Sequence, residues 1–270
     1  MTRFTRNIVK DRALLALLVP GVLYLILNNY LPMFGIVIAF KNINYSKGIW
    51  GSDWVGLNNF KFLFMTSDAW LITKNTILYN AAFIILHLIV PLAFALMLNE
   101  LRVRFLARFY QSVMFLPYFL SMIVVAYLGY SLLSSEFGFI NSKILEPLGY
   151  KGISWYSEPK YWPAILVLVN LWKSSGYYVI IYLAAIIGID NEYYEAAHID
   201  GASKWQQITR ITIPLIRPVL IIMVLLQIGK IFNADFGLFY QVPLDSGALY
   251  STTQVIDTYV YRALLNLGDI

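Results

Sequence analysis

The run EYYEAAHIDGASKWQQITRITIPLIRP, residues 192–218, sets acidic, small and turn-forming residues at fixed intervals between two strongly apolar stretches. Its chemistry is recognition, not bond making. Glu195 and Asp200 supply charges for basic partner groups or for helix caps, and Ala196 and Ala197 leave a slim face that can sit in a groove. Gly201 permits a tight reversal before Ala202. Ile211 and Pro214 stand where the next apolar run begins. The segment reads as helix, turn, helix. Asp190 or Asn191 caps the first helix, and a second short helix from Ala202 ends before Pro214, which suits the first turn of a span. The alternative is an amphipathic connector lying on a membrane surface. Such helices carry a basic polar face, whereas Glu192, Glu195 and Asp200 make this one acidic, so docking to a protein is favoured.

A second group lies inside the apolar runs. Lys173 stands in the middle of one, and a charge at mid-bilayer costs at least about 2.5–3.5 kcal/mol on insertion scales, so it must face a cavity or a partner. Its neighbours Asn170, Trp172, Tyr177 and Tyr178 offer amides and aromatic faces, which suit the polar edges and CH faces of sugars. Helical spacing sets Asn170, Lys173 and Tyr177 on one face. Two readings stand for Lys173: a donor to cargo or a gate in a pathway, or a structural bond to a carbonyl or a second protein. Lys230, Asn233 and Asp235 form another polar cluster, for which pathway lining and packing both remain open. His87, with Asn80 and Asn99 nearby, reads as a hydrogen-bonded interior group before a proton relay.

None of these residues composes a catalytic or metal site. The histidines, His87 and His198, are far apart, so H-E-x-x-H is absent. Ser174-Ser175-Gly176 lacks a partnering histidine, and there is no Walker A loop, so this chain does not itself hydrolyse ATP. Without cysteine, neither disulfides nor thiolate sites can form. A secondary transporter would couple cargo to ions through intramembrane carboxylates, and only Asp235 is a candidate.

The elements that position these residues are membrane helices. Hydrophobic residues make up 59%, charged ones 13%, and the mean hydropathy is +0.65, far from soluble averages of roughly 45–50% and about 25%. The net charge of +5 fits Lys and Arg held on the cytoplasmic side better than nucleic-acid binding. A helix needs about 20 residues to cross the hydrocarbon core, and charge-poor stretches of that order occur at 13–40, 75–99, 111–135, 161–189 and 214–240. Five spans result, in an all-α integral membrane protein of one domain over residues 1–270, with a loop at 190–213. Pro20, Pro32, Pro91 and Pro117 predict kinks within spans. The first apolar run lacks a small-residue cleavage site and reads as a retained span.

Basic residues orient the bundle. Short segments 1–12 and 100–110 hold Arg3, Arg6, Lys10, Arg12, Arg102, Arg104 and Arg108, whereas an equal count is spread over the longer 41–74 and 136–160. Density therefore places the N-terminus in the cytoplasm, and alternation puts 190–213 there too. Trp50, Trp54, Trp70, Trp155 and Trp162 gather on the opposite side, as an interfacial belt does. Residues 241–270 fall outside, as a semi-polar tail or the approach to a further helix.

E-A-A, three residues, Gly, nine residues, then I-x-[hydrophobic]-P is the signature of importer-type ABC permeases, and residues 195–214 match it, with Ile213 where Leu is usual. Asp200 and Ala202 flanking Gly201 resemble the carbohydrate-uptake branch. VGLNNFKFLF at 55–64, KNT at 74–76, NLWKSSGYYVIIYLAAI at 170–186 and the Tyr- and Asn-rich 228–241 resemble its oligosaccharide and complex-glycan subgroup. The resemblance implies a type I importer permease fold of six helices, the sixth missing from this chain, in a bacterial cytoplasmic membrane. It implies a second permease as heterodimer partner, an ATPase dimer that carries ATP and Mg, and an extracellular solute-binding protein. Glu195, Ala196, Ala197, Asp200, Gly201, Ala202, Ile211 and Pro214 would then couple the ATPase to the pathway, and this chain would bind no cofactor.

Overall fold

A computed structural model of the chain describes residues 12–101 and 103–266, so Arg3, Arg6, Lys10, Arg102 and Asp269 lie outside the described residues. Two compact units divide between Ala69 and Trp70.

The first unit is built on α1 (Arg12–Phe40), an apolar helix long enough to cross a membrane and with none of its residues buried. Such a surface is stable only where lipid or protein replaces water. Pro32 follows a wider helical turn at Ile26–Tyr30, and Asn28 donates to the Tyr24 carbonyl at 3.1 Å, so the polar side chain is satisfied along its own helix. After α1 comes a two-stranded antiparallel ribbon, β1 (Lys41–Asn42) with β2 (Asp53–Trp54), in the register Lys41 to Trp54. Lys41 donates to the carbonyls of Ile49 and Trp50, and Phe40 stacks on Trp54. Asn59 of α2 (Asn58–Met65) donates to the Ala39 and Lys41 carbonyls, fixing the ribbon's base.

The second unit is a helical bundle. Along α3 (Ser67–Asn99) the buried residues run Ile72, Thr76, Tyr79, Phe83, His87, Pro91, Ala95 and Leu98, steps of three and four that trace one helical face. α6 (Pro159–Ile187) presents a matching stripe from Trp162 to Ile186. The two helices meet in two clusters. One joins Tyr79, Phe83, Trp162, Leu166, Leu238, Phe239 and Leu249; the other joins Ala95, Leu98, Val179, Tyr182, Leu183, Ile186 and Ile216. Lipid is as apolar as leucine, so close packing and interhelical bonds hold these contacts more than the hydrophobic effect does.

Three expectations change. The stretch 111–135 is not one straight span but two helices, α4 (Arg104–Phe119) and α5 (Met122–Leu133), set at 100°. Pro117 removes a ladder donor, Leu120 is extended, and Ser121 caps α5 by accepting from the Val124 N–H at 3.3 Å, so the chain breaks where a kink was expected. The fifth span starts and stops earlier than 214–240. α8 (Lys204–Ile228) runs without interruption from the loop, and a wide turn at Ile208–Thr212 absorbs the missing Pro214 donor, so no separate short helix ends there. Beyond Gly229 the backbone unwinds, and side chains satisfy it. Asn80 donates to the Ile231 and Asn233 carbonyls, and Asp257 accepts from the Ala234 N–H at 2.7 Å. Finally, residues 241–266 are no loose tail. Val242, Leu249 and Val255 are buried, and α9 (Ile256–Asn266) is pinned by Arg262, whose guanidinium meets Asp245 at 2.7 Å.

Candidate functional site: a docking loop and a polar cavity

Between α6 and α8 lies α7 (Asn191–Ile199). Asp190 caps it, accepting from the Glu192 N–H at 3.0 Å. Its far end closes in a Schellman turn: Ala202 N–H donates to the Ala197 carbonyl at 2.9 Å and Gly201 N–H to that of His198 at 3.0 Å. Gly201 has φ +75°, a left-handed conformation that glycine adopts without strain. Ser203 then begins α8 with a capping box, its hydroxyl accepting from the Gln206 N–H while the Gln206 side chain accepts from the Ser203 N–H. The reversal thus occupies Asp200, Gly201 and Ala202, and every group that shapes it is local.

Glu195, Ala196, Asp200, Gly201 and Pro214 are exposed, whereas Ala197, Ala202 and Ile211 are half-buried. The loop also presents Ile199 at 86% exposure, Trp205 at 71% and Tyr193, three large apolar groups that the spacing argument did not single out. Together with the slim alanine face they make a mixed apolar and acidic surface of the kind that contacts proteins. Tyr194 and Thr212 share a hydrogen bond of 2.9 Å, and Lys204 pairs with Glu100 at 3.1 Å, so the loop is tied to α8 and to the end of α3. That pairing puts Glu100 and the 190–203 loop at one end of the bundle.

A cavity of about 430 Å³ opens along α3, α6 and α8. Its polar wall is Asn80, His87, Asn170, Ser174, Gln227, Lys230, Asn233 and Asp235, and Phe83, Tyr177 and Tyr178 supply aromatic faces. Of the six sequence candidates, Asn170, Tyr177, Lys230 and Asn233 line it, while Trp172 and Lys173 do not. Lys173 turns instead to the α4–α5 break, donating to the carbonyls of Leu120 at 2.7 Å, Tyr118 at 2.9 Å and Pro117 at 3.4 Å. Helical spacing grouped Lys173 with Asn170 and Tyr177, but the carbonyls of another helix draw Lys173 away from the cavity that the other two line.

His87 holds an interior hydrogen bond, Nδ1 to Gln227 Oε1 at 3.2 Å, and its ring stacks on Tyr178 at 4.5 Å. His87 and Asn170 are buried beside one another, with His87 Nε2 and Asn170 Oδ1 in no hydrogen bond of good geometry among the described residues. Asp235 is engaged, accepting from the Leu238 N–H at 3.1 Å, whereas Lys230 has no carboxylate within ion-pair distance among the described residues. Gln227 and Ser174 were missed in the sequence. The signal for Gln227 was an uncharged amide inside an apolar run, a residue that a membrane helix must satisfy or use.

The family described as binding-protein-dependent transport system inner membrane component matches residues 87–238. The chain is 35% identical over 267 residues to the polygalacturonan/rhamnogalacturonan transport system permease protein YteP of Bacillus subtilis (strain 168), covering 99% of this chain and 82% of that protein. It is 36% identical over 260 residues to protein LplB of the same organism, covering 96% and 80%. A solved bacterial ABC transporter involved in the import of the acidic polysaccharide alginate contains a chain with a TM-score of 0.89 and 31% identity, covering 99% of this chain and 89% of that one. A second structure of a bacterial alginate ABC transporter, in complex with an alginate pentasaccharide-bound periplasmic protein, gives a TM-score of 0.88 at 31% identity, covering 99% and 88%.

Proposed function

Because the chain belongs to the family of binding-protein-dependent transport system inner membrane components, we propose that it is the membrane permease of an ATP-driven oligosaccharide importer. The observation that carries this reading is a polar, aromatic-walled cavity opening along apolar spans, on the same helices that end in an exposed, rigidly capped loop. A polyhydroxylated solute matches amide, imidazole and tyrosine groups, and a helix joined to the loop without a break passes the loop's movement to the wall. Asn170, Tyr177, Lys230 and Asn233 would line the path, with Asn80, His87 and Gln227.

Glu195, Ala196, Ala197, Asp200, Gly201, Ala202, Ile211 and Pro214 would couple to one subunit of an ATPase dimer, which would carry ATP and Mg; this chain binds no cofactor. A second permease would form the other half of the pathway, and an extracellular solute-binding protein would deliver cargo. The N-terminus and the α7 loop would face the cytoplasm, with the membrane a bacterial cytoplasmic one.

Lys230 sharpens the cargo. A cation without an ion-pair partner among the described residues favours an acidic sugar, and the polygalacturonan and alginate named for the relatives are acidic. The alternative of an ion-coupled transporter gains little, because Asp235, the carboxylate in the cavity, already caps a helical turn.

A pull-down from the native membrane tests the reading, done with the unaltered chain and with Glu195 and Gly201 both substituted. Recovery of a second permease and an ATPase, with the ATPase lost in the variant, is expected. Recovery of the chain alone in both cases removes the basis for ATP-driven transport.

A further inference from the structure

The α4–α5 break frees carbonyl oxygens between two apolar helices, and the structure answers with a single ammonium. Lys173 has three N–H donors and reaches three carbonyls, those of Pro117, Tyr118 and Leu120. These oxygens end α4, where the aligned peptide dipoles leave partial negative charge that favours a cation. One helical turn along α6, Gly176 lies against the α4 backbone. A Cβ added there would stand 2.1 Å from the Met114 carbonyl oxygen and 2.6 Å from Phe115 Cα. Neither contact can yield without moving backbone, so α4 and α6 are held by a charge at one point and by bare backbone contact at the next.

The same junction continues into the cavity as stacked rings. Lys173 Nζ is 5.8 Å from the Tyr118 ring centre; Tyr118 stacks on Tyr177 at 5.2 Å; Tyr177 meets Tyr178 edge-on at 5.4 Å; Tyr178 stacks on His87 at 4.5 Å. Three of these four rings wall the cavity.

We propose that Lys173 is a positioning residue: it fixes the α4–α5 bend to α6 and thereby sets the aromatic wall of the cavity, without touching cargo. The bend, α6 and the Tyr118–Tyr177–Tyr178 stack form one body with Lys173 as its pin. The transport part of this inference rests on the function proposed above; the bend does not.

Two measurements separate the pieces. The chain has no cysteine, so Arg108→Cys on α4 and Ser131→Cys on α5 can carry spin labels for pulsed electron resonance in the assembled complex. Native chain and K173R are expected to give one narrow distance distribution. K173M keeps the length and loses the donors, and is expected to give a broadened distribution. In proteoliposomes holding the complex, uptake of a tri-uronide and of its uncharged methyl ester should both fall about tenfold in K173M and return in K173R. An unchanged distribution in K173M overturns the proposal, as does a loss confined to the charged cargo, which would make Lys173 a cargo contact. Should K173M not assemble, K173Q retains two amide donors and is expected to show intermediate broadening; a native distribution in K173Q overturns the pin equally. If the native complex takes up neither cargo, the proposed function fails while the distance measurement still decides the role of Lys173.

Discussion

Gly201 offers the sharpest test of how the loop is built. Its φ of +75° lies in the left-handed region, which costs an L-residue about 1–2 kcal/mol and a β-branched one the upper part of that range. No atom lies within 4 Å of where a Cβ would stand, so sterics add nothing to the backbone cost. Gly201→Val should therefore disfavour the closed turn by about 2 kcal/mol, and 1.36 kcal/mol corresponds to a factor of ten, so the docking-competent loop becomes roughly thirtyfold rarer. Gly201→Asn adds a similar bulk but enters the left-handed region readily, and should lose only a small part of that factor. The assay is ATPase capture by the purified permease pair across a titration, with binding-protein-stimulated hydrolysis as a second readout and binding-protein affinity as the control that stays constant. Equal damage from Val and Asn would mean that the partner requires empty space at this position, and the backbone argument would fail. A harmless Val would refute it outright.

Three further outcomes are expected. Lys230→Met should raise the KM for an acidic oligosaccharide about tenfold and leave that of its uncharged ester unchanged, measured by uptake into proteoliposomes; equal effects on both would deny Lys230 a role in reading charge. Gly176→Ala should prevent stable assembly of the bundle, whereas Gly188→Ala, whose Cβ meets the Ala184 carbonyl at an ordinary 3.4 Å, should be tolerated; equal thermal stability of the two variants in detergent would contradict the close α4–α6 approach. Tyr156 lies outside the spans, and burial, with Tyr130 adding to it, pushes its phenol up to about 12, so it carries no charge through the neutral range. Its buried hydroxyl lacks a partner among the described residues, an arrangement that costs about 1–3 kcal/mol, and Tyr156→Phe should hold or raise the Tm; a lowered Tm would reveal a bond to that hydroxyl.

The long runs behind α1, α3 and α6 were legible because crossing hydrocarbon demands some twenty charge-poor residues, and little else produces them. The loop was legible because caps and reversals use residue types at short, fixed offsets: Asp190 and Gly201 each act within three or four positions of themselves, as does Ser203, one position beyond the Ala202 expected to start the second helix. Direction was not legible. An apolar run reads alike whether it stays straight or turns by 100°, and Pro117 alone did not disclose that Ser121 starts a new helix beside it. The end of α8 was overrun for a related reason. Residues 229–240 intersperse Lys230, Asn233 and Asp235 with apolar groups and so read as the end of a span, whereas the backbone there unwinds and is held by local bonds together with the remote Asn80 and Asp257. Lys173 shows the same limit, since its partners stand more than fifty positions away in the chain.

The two packed clusters lie on either side of the cavity, and α3 and α6 each contribute to both. Tyr79 and Ala95 anchor one helix, Trp162 and Tyr182 the other, and between them the cavity wall shares Phe83 with one cluster and Tyr178 with the other. A bundle fastened at both ends can exchange its middle. Under the proposed function, substitutions at Asn170 or Lys230 would change what the cavity accepts and leave both fastenings whole, whereas Asn80, which also holds the unwound Ile231 and Asn233 carbonyls, would not be exchanged without loss of stability.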